Sequence, residues 1–305
     1  MKNKNTRIAA VQATPVFLNK KATVEKACEL IAIASKKGAR LAVFPEAFIP
    51  AYPDWVWVVP PSKRELMDEL YTELYENAVS IPDEATKKLC NEAKKNNIFV
   101  VMGINERNSE TSNSSLYNTL LFIDSNGDIK GKHRKLVPTG SERLVWAQGN
   151  GSTLNVFDTD FGKLGGLICW ENYMPLARYA MYSMGTQIYV ASTWDYGDTW
   201  LATLRHIAKE GGMFVIGCCI AMRMKDIPNG YEFKKLYAKE KDWINPGDSV
   251  IINPKGQFIS GPLNKKEEIL YADINLNEIP AAKWMLDTAG HYDRPDVFKF
   301  EIKRG

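Results

Sequence analysis

Three reactive side chains in this sequence occupy equivalent positions. Glu46 closes LAVFPE, Lys135 closes DIKGKHRK and Cys169 closes GKLGGLIC, and each stretch reads as a strand. In α/β architectures the ligand crevice forms outside the carboxyl ends of strands, so a carboxylate, an ammonium and a thiol can converge there from distant segments. A free thiol is only a few per cent thiolate at neutral pH and needs a base or a nearby cation to act as a nucleophile. Glu46 has the chemistry to take its proton, and Lys135 to stabilise an anion. Cys169 is the most telling of the three. Leu164, Leu167 and Ile168 with Gly165 and Gly166 mark a buried strand that other backbone approaches closely. Trp170, Glu171, Asn172 and Tyr173 follow at once, and Pro175 opens a helix. Cys169 is thus expected on a strand-to-helix turn, exposed on one side near the positive end of a helix dipole. Taken singly, Glu46 would be a loop carboxylate, Lys135 a surface charge and Cys169 a small core residue. Cys28 and Cys90 (on helix stripes) and Cys218 and Cys219 (in a buried strand) take that core reading. The combination of the other three is what points to covalent catalysis.

The elements that must position these groups follow from periodicity. Residues 6–13 read as a strand, 20–39 as a helix with Gly38 past its end, and 41–47 as a second strand. Such a unit implies a parallel pair with a right-handed crossover. Helices are expected over 62–80 and 83–96, a strand over 98–107, and a hairpin over 115–135 turning at Ser125-Asn126-Gly127-Asp128. A second hairpin spans 153–169. Helix 174–185, strand 187–193, helix 199–212 and strand 213–221 alternate after it, and a hairpin over 248–262 and a strand over 267–274 close the pattern. FIDSNGDIKGK and IINPKGQFISG echo each other, hinting at two related halves of one sheet sandwich. No Pro-, Gly- or Ser-rich linker divides the chain, so residues 1–305 read as a single α/β domain of mixed sheets covered by helices.

Composition narrows the function classes. The 305 residues are 45% hydrophobic and 25% charged, with 39 basic and 36 acidic side chains, which excludes disordered, collagen-like and coiled-coil chains. The basic runs at 130–135 and 234–241 are short and interrupted, so neither nucleic acid nor a membrane surface is expected as a partner. The longest apolar run, MFVIGCCIAM, is far short of a bilayer span, and the opening MKNKNTRIAAVQATP lacks a signal-peptide core. Five cysteines without a CxxC pair, and His133, His206 and His291 far apart, leave no disulfide framework or metal site to read. The histidines read as structural. No phosphate-binding Gly motif follows a strand. The expectation is a cytoplasmic protein with reduced thiols, no metal and no cofactor.

Seven ordered segments resemble the nitrilase branch of the carbon–nitrogen hydrolase superfamily: FPEAFIPAYP, GKHRKLVPT, ERLVWAQGNGS, GGLICWENYMPLARYAMY, TWLATLRHIAKEG, WINPGDSVIINPKG and GHYDRPDVF. From the first to the last they span residues 44–298, most of the chain. The resemblance implies an αββα sandwich that dimerises to αββα–αββα. It makes Glu46 the general base, Lys135 the cationic stabiliser, Cys169 the nucleophile, and Glu142 a second glutamate that holds the lysine and helps deliver water. The implied reaction takes a small-molecule nitrile to the carboxylic acid and ammonia through a thioimidate and a thioester on Cys169. Amide or carbamoyl hydrolases, and cyanide-hydrating or cyanide-degrading enzymes, are the alternatives. The first share the same triad, the second the CWE pattern, and CWENYMPLARY favours nitriles. A non-catalytic scaffold is disfavoured because all three reactive residues are present.

Tyr52, Trp170 and Trp194 are the candidate substrate-binding residues, with Tyr196 beside them; Trp55 and Trp57 fit a pocket or a core equally well. Two positions depart from the family pattern. Asn150 stands where Asp is usual, and Gly140 where a bulkier residue is common, which reshapes the pocket near Glu142. The chain stops soon after GHYDRPDVF, so a homodimer or small homo-oligomer is expected over a long filament.

Overall fold

The computed structural model describes residues 5–238 and 242–304; the basic opening at 1–4 and the end of the 234–241 run lie outside them. Two sheets face each other. The first contains β1 (Thr6–Gln12), β2 (Leu41–Val43), β3 (Phe99–Arg107), β4 (Leu116–Ile123), β5 (Ile129–Arg134) and β13 (Glu268–Ile274), in the order β13-β1-β2-β3-β4-β5. The second contains β6 (Val156–Thr159), β7 (Gly162–Ile168), β8 (Ile188–Thr193), β9 (Phe214–Cys219), β10 (Ala221–Arg223) and β11 (Trp243–Ile252), in the order β10-β11-β9-β8-β7-β6, with β12 (Phe258–Asn264) paired to β11. The centre of each sheet is parallel, β1-β2-β3 and β7-β8-β9, and the hairpins β4-β5 and β6-β7 are antiparallel.

Strand alternation builds the layers. Ile8 and Ala10 of β1 point into the space between the sheets, where Leu164 and Ile168 of β7 and Val190 of β8 meet them. Ala9 and Val11 point the other way, onto Val24, Ala27 and Ile31 of α1 (Lys20–Lys36) and Leu89 of α3 (Glu84–Asn96). On the second sheet Leu167, Tyr189 and Val215 face outward onto α4 (Pro175–Ser183) and α5 (Asp198–Gly211). The result is the αββα sandwich, its central parallel strands buried on both faces. α2 (Arg64–Asn77) precedes α3, and the short α6 (Glu278–Lys283), unread in the sequence, follows β13.

Two expectations are corrected, both near the reactive residues. β2 stops at Val43 and not at Ala47, so Glu46 sits three residues beyond the strand in a loop. Pro45 ends the ladder there because it brings no N–H. Cys169 opens a 3₁₀ turn, Cys169–Tyr173, and α4 starts only at Pro175, so the thiol does not sit on the helix N-terminus.

Candidate active site

The Glu46 loop is held along β3 by backbone bonds. Phe44 N donates to Val101 O at 2.8 Å and Ile49 N to Gly103 O at 3.1 Å. The approach is so close that a Cβ on Gly103 would lie 1.9 Å from the Pro45 carbonyl oxygen, so only glycine fits. Asn105 clamps the same loop, donating to Ala51 O at 2.9 Å and accepting from Trp146 Nε1 at 2.9 Å. Ser192 on the facing sheet donates to Phe44 O at 2.7 Å. Lys135 follows β5, its N–H on Asn118 O at 2.8 Å, while the 3₁₀ turn Gly140–Leu144 carries Glu142 back toward it.

These segments deliver a buried ion cluster. Lys135 Nζ donates to Glu46 Oε1 at 2.9 Å and to Glu142 Oε2 at 2.7 Å, with all three side chains almost wholly buried. Asn118 Nδ2 adds a bond to Glu46 Oε1 at 2.7 Å. Thr139 N and Tyr52 Oη each reach Glu142 at 2.7 Å, and Trp57 Nε1 donates to Tyr52 Oη at 3.1 Å. Glu46 Oε2 is different: among the described residues no donor reaches it, although it is buried.

Cys169 lies in the field of this cluster. Its backbone has φ 50°, a left-handed conformation that a β-carbon disfavours. The conformation is held from both sides: Asn172 Nδ2 donates to Cys169 O at 2.7 Å and Thr193 Oγ1 to Sγ at 3.4 Å. Burial raises the thiol well above its ordinary value, the Glu46 charge adds to the rise, and Lys135 only partly offsets it. Glu46 is itself raised above the ordinary carboxylate value, by burial first and by the Glu142 charge, against the pull of Lys135. Burial works against the charge on Lys135, yet its acidic partners, Glu46 foremost and Glu142 through charge and hydrogen bond, outweigh it and raise its pKa. The resting nucleophile is therefore a neutral thiol, beside two carboxyl groups that both bond Lys135 Nζ.

A cleft of about 480 Å³ opens over the sulfur. Tyr52, Trp170 and Trp194 line it, as do Trp57 and Tyr196, with the Tyr52 and Trp194 rings stacked at 4.3 Å. Trp55 lies elsewhere, fully buried against Phe17 and Phe233. Gly140 also lines the cleft, at φ +51°, and a Cβ there would come within 3.1 Å of the Trp57 ring. Any bulkier residue at that position would need this ring displaced.

Comparison with known proteins bears on this geometry. The family model for carbon–nitrogen hydrolases matches residues 7–283. The chain is 43% identical to Nitrilase 2 of Arabidopsis thaliana over 97% of its length and 88% of that protein. It is 40% identical to an aliphatic nitrilase of Sinorhizobium fredii, over 97% and 95% respectively. The chain belongs to the nitrilase branch of the carbon–nitrogen hydrolase family. Its fold is also that of Saccharomyces cerevisiae Nit3, a member of branch 10 of the nitrilase superfamily, with a TM-score of 0.73 and 22% identity over 95% of this chain and 97% of that one.

In this carbon–nitrogen hydrolase, several residues that hold the site escaped the sequence reading: Asn118 on β4, Thr193 at the end of β8, Asp195 on the cleft wall, and Glu171. Nothing marks a polar residue within an apolar strand as a partner until its neighbour is known. Glu171 had one signal, its place two residues after Cys169. It is buried and accepts from Ile168 N at 2.7 Å and Leu136 N at 2.6 Å, with His133 Nε2 at 3.1 Å. It thereby ties the residue before the cysteine to the residue after the lysine. Burial alone would raise its carboxyl, but His133 and the two backbone donors outweigh that and hold it below the ordinary range. Replacing it with Gln puts an NH₂ where a backbone N–H needs an acceptor. Glu171→Gln is expected to lower unfolding free energy by about 3 kcal/mol at pH 7, read from the urea midpoint. Because the folded pKa is depressed, the deficit should shrink as pH falls through that low value and wild type loses the same contribution.

Proposed function

We propose that this protein hydrolyses organic nitriles to the carboxylic acid and ammonia by covalent catalysis on Cys169. The observation that carries the reading is the single unpartnered oxygen of the Glu46–Lys135–Glu142 cluster, Glu46 Oε2, in a carboxylate whose other oxygen is already saturated. Oε2 is the proton acceptor. As the thiol transfers its proton there, sulfur adds to the nitrile carbon and charge grows on nitrogen, where Lys135 stabilises it. Glu46 then delivers the proton to that nitrogen, leaving a thioimidate. A water deprotonated by Glu46, with Glu142 fixing Lys135 beside it, adds to the thioimidate carbon, and ammonia leaves to give the thioester. A second water releases the acid and restores the thiol. Two waters and one nitrile give one acid and one ammonia, so the residues need neither metal nor organic cofactor to balance the step.

The resemblance to nitrilases at about 40% identity over nearly the whole chain supports nitriles over amides as substrates. Nothing in the triad separates the two, so the test is a matched panel of nitriles and their amides assayed by ammonia release. Nitriles are expected to turn over at least ~100-fold faster in kcat/KM, a transition-state difference of about 2.7 kcal/mol. Amides matching or exceeding nitriles would reverse the assignment. Residues 1–305 acting as one catalytic unit, a cytoplasmic location and assembly into homodimers or larger homo-oligomers belong to the same proposal. Among the described residues no helix is long and apolar enough to cross a membrane.

A further inference from the structure

Asp195 is the one charged residue of the cleft that the hydrolytic scheme leaves without a task. It lines the same wall as Cys169 and Trp170, half-buried, and is fixed in place. Its Oδ2 accepts from Trp170 Nε1 at 2.8 Å, its Oδ1 accepts from Tyr196 N at 2.8 Å, and its own N–H donates to Thr193 Oγ1 at 2.7 Å. Thr193 Oγ1 in turn donates to the Cys169 sulfur, so the backbone of Asp195 is tied to the reacting atom through one hydroxyl. Each oxygen has one donor and keeps a lone pair for a ligand.

The surroundings carry one sign. The charged residues among the cleft's lining are Glu142 and Asp195, both acidic. Lys135 lies behind them, wholly buried and held between two carboxylates. Around Asp195 stand Trp57, Trp170 and Tyr196, each between 43% and 51% exposed, which leaves ring surface for a ligand. Aromatic faces attract cations through their quadrupole, and a fixed carboxylate does so through its charge. Rings around an acid are the chemistry that recognises an alkylammonium group, and the same walls repel a carboxylate.

We propose that Asp195, set among these rings, selects nitriles carrying a cationic group at the end remote from the nitrile and rejects those carrying an anionic one. The inference rests on the nitrile reading above and names its substrate class. It also gives the carboxylate product a repulsive exit.

The test uses three phenylacetonitriles of matched shape, para-substituted with aminomethyl, hydroxymethyl or carboxylate. Burial raises the Asp195 carboxyl above its ordinary value, so the assay is run at about pH 8, on the ionised side. Wild type is expected to favour the ammonium over the carboxylate substrate by about 100-fold in kcat/KM, with the alcohol between them. In Asp195→Asn that ratio should fall at least tenfold, whatever happens to the absolute rates. Trp170→Phe keeps the carboxylate and should keep most of the ratio, which separates charge from wall shape. In wild type alone, raising salt from about 0.05 to 0.5 M should shrink the ratio several-fold, a readout that survives a poorly folding variant. A wild-type ratio near one, or a large ratio left intact by Asp195→Asn, would overturn the proposal. Failure of all three nitriles to turn over would instead remove the nitrile reading on which it stands.

Discussion

Cys169→Ala is expected to abolish nitrile turnover, by at least about 10⁴-fold in kcat, while leaving the protein folded. The size follows from the absence of a substitute nucleophile. Cys218 is fully buried, with its sulfur turned to the backbone oxygens of Val43 and Val11, and Cys219 points at Asp195 O and Asn245 Oδ1. Cys28 and Cys90 lie on α1 and α3, on the far side of the first sheet. None of the four can take over the role without rebuilding the site. Stability should barely change, because alanine and cysteine bear the same strain at φ 50° and the lost contacts at sulfur are weak. Intact-mass analysis gives the positive half of the result: wild type quenched during turnover should carry a substrate adduct that Cys169→Ala lacks. Appreciable hydrolysis by the variant, or an adduct on another cysteine, would move the nucleophile elsewhere.

Glu46, Lys135 and Cys169 were legible because each follows an apolar or glycine-marked strand, and strand ends have a fixed place in an α/β sandwich. The hairpins and the β7-α4-β8-α5-β9 alternation were legible for the same reason, since periods of 2 and 3.6 are written in apolar residues. What failed was local. Trp55 and Trp57 are two residues apart in a 3₁₀ turn, and one fills the core while the other lines the cleft. No period separates residues in a segment of four. β2 ended early because Phe44 leaves the ladder with β1 while still bonding β3. Asn118, Thr193 and Asp195 were invisible because each takes its meaning from a partner on another strand or loop, and pairing across segments is a property of the fold alone.

The field at the sulfur also separates two roles that Glu46 can play, as a charge and as a base. As a charge it hinders: with burial, its negative field keeps Cys169 in the thiol form. As a base it is indispensable, since thiolate formation without proton transfer would put a second unbalanced anion beside Glu46 and Glu142. Moving the proton to Oε2 keeps the charge of the cluster constant while the nucleophile is made. That gives Glu46→Gln an expected result that a merely structural carboxylate would not produce. The amide keeps the volume, Lys135 keeps Glu142, and the thiol becomes more acidic because one raising charge is gone. Iodoacetamide should therefore alkylate Cys169 at lower pH in the variant than in wild type. Hydrolysis should nonetheless fall by about 10⁴-fold, the upper range for loss of a general base. In wild type the acid limb of kcat/KM should lie above 4.5, the ordinary carboxylate value, because Glu46 is raised and must be ionised to act. Activity is then lost as pH falls through that raised value, and the apparent pKa belongs to the coupled cluster. A Glu46→Gln enzyme with an easier thiol and intact turnover would show that the proton goes to another acceptor, and Glu142 would be the next carboxylate to test.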